Sequence, residues 1–140
     1  MRGTMAATRP RPTKAELQIL QVLWTRGPLS VRAVTHVLNE DKPTGYTSVL
    51  KTMQIMTEKG LVERDDTCRP QVYRARDSQD RTQKQLLTDL IQRAYGGSVK
   101  ALVMHAVGTR KPSAEDLDAI EKLLDRFERE RTRDRKGGKS

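Results

Sequence analysis

The sequence predicts a mostly α-helical chain with one small β-hairpin, and three observations carry that expectation. Apolar residues recur at helical spacing in six segments, each bounded by a capping residue or a Gly/Pro break. The period shifts to alternation only over residues 61–75, where two short runs flank a polar loop. Hydrophobic residues are 35% of the 140, too few for one large self-contained core, so part of the apolar surface is expected to be buried in an oligomer.

Taken in order, residues 1–12 are rich in Arg, Pro and Thr without periodicity and read as a disordered basic arm. Thr13-Lys-Ala-Glu16 matches a capping box, in which the hydroxyl and the carboxylate satisfy orphan helix amides. Leu17, Leu20 and Trp24 follow at helical spacing with Ile19 and Leu23 alongside, and Gly27-Pro28 stops this first helix. Ser30 caps a short second helix with Val31, Val34 and Leu38 on one face. Residues 39–43 read as a turn, and Thr44 as the cap of a third helix over about 45–59, with Val49, Met53 and Met56 inward. Gly60 stands where a left-handed C-terminal cap belongs. Residues 61–64 and 71–75 are the strands, and 65–70 their loop.

Three more helices follow. Asp77 or Ser78 caps one running to about Tyr95, with Leu86, Leu87, Leu90, Ile91 and Ala94 as its stripe, and Gly96-Gly97 breaks it. Residues 98–107 form a short helix carrying Val99, Leu102, Val103 and Ala106, followed by a break over 108–112. Ser113 caps the last helix, with Glu115 and Asp116 suited to its dipole and Leu117, Ile120, Leu123, Leu124 and Phe127 as its stripe. The Arg/Glu alternation beyond Phe127 reads as a fraying tail. The expected organisation is an arm (1–12), a first domain (13–77), a helical domain (78–127) and a charged flexible tail (128–140).

Charge and composition bound the function. Lys and Arg number 27 against 18 Asp and Glu, for a net +9, which points to a polyanionic partner: nucleic acid first, an anionic membrane surface second, with plain solubility as the alternative. No stretch of eighteen apolar residues is present, so no membrane insertion is expected. The arginines near the N-terminus have no apolar stretch behind them, unlike a secretory signal. One cysteine makes no internal disulfide and fits the reducing cytoplasm. Cys68, His36 and His105 are scattered, which excludes a zinc finger, and no metal or other cofactor is expected. Without a Gly-rich phosphate loop or a catalytic Ser/His/Asp set, an enzyme is the weakest class.

Helix, helix, helix, hairpin within residues 13–76 is the order of a winged helix-turn-helix, whose third helix enters a major groove while the hairpin reaches flanking backbone. With Val49, Met53 and Met56 inward, Tyr46, Thr47, Ser48, Lys51, Thr52 and Ile55 form the outer face. Hydroxyls and a lysine there suit phosphate and base-edge contacts. Arg64, Arg69, Arg74 and Arg76 stud the hairpin, with Arg69 and Arg74 the foremost phosphate ligands. The alternative is a winged helix used for protein or RNA contact.

Four pieces carry a resemblance: Glu16-Leu-Gln-Ile-Leu-Gln-Val-Leu-Trp24, Tyr46-Thr-Ser-Val-Leu-Lys-Thr-Met53, Glu58-Lys-Gly-Leu-Val62 and Tyr95-Gly-Gly-Ser-Val-Lys-Ala-Leu-Val103. In this order and spacing they resemble the penicillinase-repressor (BlaI/MecI) family of bacterial transcriptional regulators over residues 15–127. The resemblance implies a homodimeric repressor whose N-terminal winged helix binds a palindromic operator in double-stranded DNA and whose C-terminal helices dimerise. It also implies, from the best-known members, derepression by cleavage in the C-terminal region under a membrane sensor-metalloprotease system. There are departures. Ile55 stands where members often have Arg, and the Cys-x-Cys pair of the copper-responsive branch is missing. The cleavage region falls near His105-Ala106 in place of the usual Asn-Phe pair.

The residues assign a role to the C-terminal helices as well. Wide apolar stripes with few partners in so short a chain mark association. Dimerisation is expected through Leu87, Leu90, Ile91, Leu102, Val103, Leu117, Ile120, Leu124 and Phe127, the alternative being a packed monomeric bundle. Trp24 is expected in the core, His105 half-buried on its short helix, and Cys68 exposed in the wing loop.

Overall fold

The computed structural model describes residues 11–138, with side chains to residue 135. Most of the expected basic arm, and residues 139–140, lie outside the described residues. The described chain is mostly helical with one antiparallel hairpin: α1 (Lys14–Arg26), α2 (Val31–Asn39), α3 (Tyr46–Lys59), β1 (Val62–Asp65), β2 (Val72–Ala75), α4 (Gln79–Ala94), α5 (Val99–Thr109) and α6 (Ala114–Gly138). This is a winged helix followed by C-terminal helices, the fold class that the sequence predicts.

Local chemistry sets the first helices. The Thr13 hydroxyl accepts from Glu16 N (3.2 Å) and the Glu16 carboxylate accepts from Thr13 N (2.9 Å), a complete capping box. Glu16 is also buried, and the Lys59 ammonium donates to both of its oxygens at 2.9 and 3.0 Å. A buried carboxylate is tolerable only when it is hydrogen-bonded, and here three hydrogen bonds from two donor groups satisfy it. One side chain thus caps α1 and pins the far end of α3 to it.

Asn39 holds the turn between α2 and α3. Its Nδ2 donates to Thr35 O and Thr44 O, both at 2.8 Å, and its Oδ1 accepts from Thr44 N at 2.9 Å. The expected capping role of Thr44 is corrected: Gly45 is the N-cap of α3, and the Thr44 hydroxyl donates to Lys42 O. At the other end Gly60 takes the left-handed conformation (φ 81°). Its N–H donates to Thr57 O while Leu61 N donates to Met56 O, a Schellman closure.

The hairpin pairs Val62 with Ala75, Glu63 with Arg74, Arg64 with Tyr73 and Asp65 with Val72. An isolated bridge ties Leu29 to it, because Leu29 and Tyr73 exchange backbone hydrogen bonds at 3.1 and 2.8 Å. The Gly27-Pro28 break had concealed that pairing, since a single bridge has no alternation to detect. The core gathers Ile19, Leu20 and Leu23 from α1, Val31 and Val34 from α2, Val49, Met53 and Met56 from α3, and Val62 and Tyr73 from the hairpin. Leu17 and Trp24 sit at its edge, half-buried, and Trp24 Nε1 donates to Asp77 O at 3.0 Å.

The chain divides into two compact units, residues 1–89 and 90–140. The division falls inside α4, whereas the sequence places it at 77/78. Thr82, in the first turns of α4, is buried, and the first unit therefore keeps the start of that helix. In the second unit no described side chain is buried. Three expectations change there. Residues 128–138 are helical rather than a frayed tail, because α6 runs unbroken to Gly138. Glu, Arg and Lys are good helix formers, and no Pro or Gly interrupts them before Gly137. Gly108 lies within α5 and does not end it. His105 is exposed, and its Nδ1 is 3.2 Å from the Tyr95 hydroxyl, with the two rings edge to face.

Candidate nucleic-acid interface

Burial fixes the faces of α3. Val49, Met53 and Met56 are buried, while Thr47, Lys51, Gln54, Ile55 and Glu58 are exposed on the opposite side. Thr47, Lys51 and Gln54 follow at i, i+4 and i+7, one stripe of hydroxyl, ammonium and amide. Lys51 has no carboxylate at ion-pair distance among the described residues, so its charge faces outward unneutralised. Because Gly45 brings no capping side chain and the first turn of α3 carries no acid, the terminal amides are uncovered. Such a helix end favours anions.

The other expected α3 residues flank this stripe. Ser48 and Thr52 line a cleft of about 490 Å³ shared with Gln18 and Thr25 of α1. The Thr52 hydroxyl is spent on Ser48 O at 3.0 Å. Tyr46 lies on the opposite flank, bordering a cleft of about 410 Å³ with Arg32 of α2 and Arg69 of the wing.

The wing arginines divide in two. Arg74 donates twice to the Glu63 carboxylate across the hairpin, at 3.0 and 3.2 Å, so part of its charge is already answered. Arg64 pairs with Asp66 at 2.7 Å, and its hydrogen bond with Tyr73 together with Asp66 holds its guanidinium protonated even more firmly than usual. Arg69 is different: its Nη1 donates only to the carbonyls of Asp66 (2.8 Å) and Cys68 (3.2 Å). Asp65 orders the loop by accepting from the Thr67 hydroxyl and amide, which holds its carboxyl below the usual aspartate range. Cys68 is exposed, with its thiol 3.9 Å from Asp65 Oδ2.

Two residues escaped sequence reasoning. Gln54 continues the Thr47–Lys51 stripe, and its helical phase was the available signal. Arg32, whose guanidinium lies 5.1 Å from the Tyr46 ring centroid, left no sequence signal, since that contact joins two helices. Of the expected dimerisation residues, Leu87 at the end of the first unit and Leu90, Val103, Leu117, Ile120, Leu124 and Phe127 in the second are exposed, Phe127 by 53% and Leu124 by 55%. Ile91 and Leu102 are half-buried. Among the described residues no helix is long and apolar enough to cross a membrane.

A helix-turn-helix with a wing and an outward polar stripe on its third helix defines a winged-helix protein. The chain belongs to the penicillinase repressor family, whose model matches residues 12–126. That family is regulatory, not catalytic. Comparison with curated proteins gave no match.

Proposed function

We propose that the protein is a homodimeric, sequence-specific repressor that reads a palindromic operator in double-stranded DNA with α3. The observation that carries the reading is the Thr47–Lys51–Gln54 stripe, polar and unpaired on a helix whose other face is core. Amide side chains suit adenine edges, and hydroxyls and lysine suit phosphate or guanine. Tyr46, Ser48 and Thr52 flank the contact, and Arg69 and, more weakly, Arg74 add backbone contacts. Ile55 extends the outward face as an apolar contact.

Dimerisation through the exposed stripes of α4 to α6 sets two copies of α3 against half-sites roughly 34–36 Å apart or a multiple of that. Linking two weak half-site contacts raises the effective concentration of the second. Anything that breaks the dimer then releases the DNA, and a membrane sensor-metalloprotease cutting near His105-Ala106 is the route that family membership suggests. The operator places this work in the cytoplasm.

Selection of duplexes from a random pool, followed by footprinting, tests the reading. The expected result is a protected two-fold site and binding that weakens steeply with salt. Lys51→Ala should lower operator affinity about tenfold, the scale of one charged hydrogen bond, and leave the fold intact. A chain that selects no duplex and shows no salt dependence is instead a protein- or RNA-contact module.

A further inference from the structure

We propose that the cleft between α2, α3 and the wing seats one backbone phosphate of the bound duplex, gripped jointly by Arg32 and Arg69. The inference rests on the DNA-binding reading above and adds to it a site that fixes the domain on the backbone.

The first observation is charge. The lining of this cleft of about 410 Å³ includes Arg32, Arg69, Tyr46 and Gln71, and it contains no carboxylate. Four other arginines of the same unit face acids: Arg11 with Asp89, Arg26 with Glu40, Arg64 with Asp66 and Arg74 with Glu63. Among the described residues Arg32 and Arg69 have no such partner, so two cations share one concavity with nothing to neutralise them. That arrangement is unfavourable until an anion enters.

The second observation is preorganisation. The Arg32 guanidinium carbon lies over the Tyr46 ring, 5.1 Å from its centroid, in a cation–π contact. A cation–π contact restrains the guanidinium against the ring and leaves its N–H groups available for phosphate oxygens. On the other wall, the Asp66 and Cys68 carbonyls hold Arg69 through Nη1. Its Nε and Nη2 have no protein partner among the described residues. Both side chains are thus ordered before DNA arrives, which lowers the entropy lost on binding.

The third observation is position. Tyr46 is the first residue of α3, and Arg69 belongs to the wing loop. When α3 lies in a major groove, these two elements straddle the strand at its edge. A diester within that strand is therefore the anion the cleft meets.

The test uses the full chain and a duplex selected by it, with phosphates replaced one at a time by uncharged methylphosphonates. At one position the replacement should weaken the unmodified protein at least about tenfold, the scale of a charge-assisted contact, and weaken Arg32→Ala and Arg69→Ala clearly less, since each keeps only one of the two arginines. Arg32→Lys keeps the charge without the guanidinium's forked donors, so it should stay sensitive at that same phosphate while binding less tightly. Sequence preference should be unchanged in all three variants, and thermal melting confirms that each folds. Loss of sensitivity at two different phosphates, at none, or a change in preferred bases would overturn the joint site. A protein that selects no duplex at all instead overturns the DNA-binding reading beneath it.

Discussion

At Gly60 a single hydrogen atom decides how α3 ends. The φ of 81° is one that a Cβ disfavours, and a Cβ built there lies 2.8 Å from Arg76 Nη1. The arginine end can swing away, but the backbone strain remains. Gly60→Ala is therefore expected to cost about 1–2 kcal/mol, the penalty for a non-glycine residue in the left-handed region. A lower urea midpoint with an unchanged slope would show it, and an unchanged midpoint would refute it. Asp65 makes a pH-dependent contribution. The Thr67 hydrogen bonds lower its carboxyl pKa in the folded wing. Its stabilisation is therefore complete above the unfolded aspartate pKa of 3.8 and is lost as pH falls through the lower folded value. NMR titration of the Asp65 carboxyl should give a midpoint below that of ordinary aspartate, and Thr67→Val should move it back up. The sequence showed the Asp65–Pro70 loop as a turn, but a shifted carboxyl depends on a rotamer that composition does not encode.

Elements were legible where their signals are local. Thr13, Ser30, Gly60, Ser98 and Ser113 end or begin helices where their chemistry demands. Legibility failed where two parts of the chain compete for one group. Thr44 is a good cap by type, yet Asn39 occupies its amide and carbonyl, and the helix begins from Gly45 instead. The Leu29 bridge depends on Tyr73 in the same way. In the interface, the Thr47–Lys51 stripe followed from periodicity, whereas the Arg32–Tyr46 contact and the Arg74–Glu63 pair are tertiary facts. Helix α5 carries a prediction of its own. It spans eleven residues, none buried, between the positive-φ pair Gly96-Gly97 and the non-helical Arg110. A helix this short is marginal alone, so its order comes from contacts outside itself. Cutting an unrelated protease site inserted between Val99 and Thr109 should yield monomeric N-terminal fragments with far weaker operator affinity. Cut protein that stays dimeric and bound would show that α4 suffices for association.

At the scale of the molecule, the two units differ in kind. The first has a closed core, while the second shows every long apolar side chain of α6 to solvent, from Leu117 to Phe127. Under the proposed dimer only the second unit gains a partner, so its stability should follow mass action. Tenfold dilution should lower the melting temperature of the full chain, and should not move that of a fragment ending at Asp89, where the compact unit closes. A full chain whose melting ignores concentration would contradict the dimer. Ending the fragment at Arg76, just after the hairpin, would remove the Asp77 carbonyl that Trp24 uses and the buried Thr82.

Glu16 joins two timescales of folding. Its bond to Thr13 spans three residues and forms as soon as a first helical turn exists; its bond to Lys59 spans 43. Closing a loop that long forfeits roughly 3 kcal/mol of chain entropy on the (3/2)RT ln n scaling. The lysine, however, arrives at a carboxylate whose rotamer the local bond has already chosen. The short-range contact thus serves as a nucleus onto which the distant end of α3 can dock, without a second search for geometry.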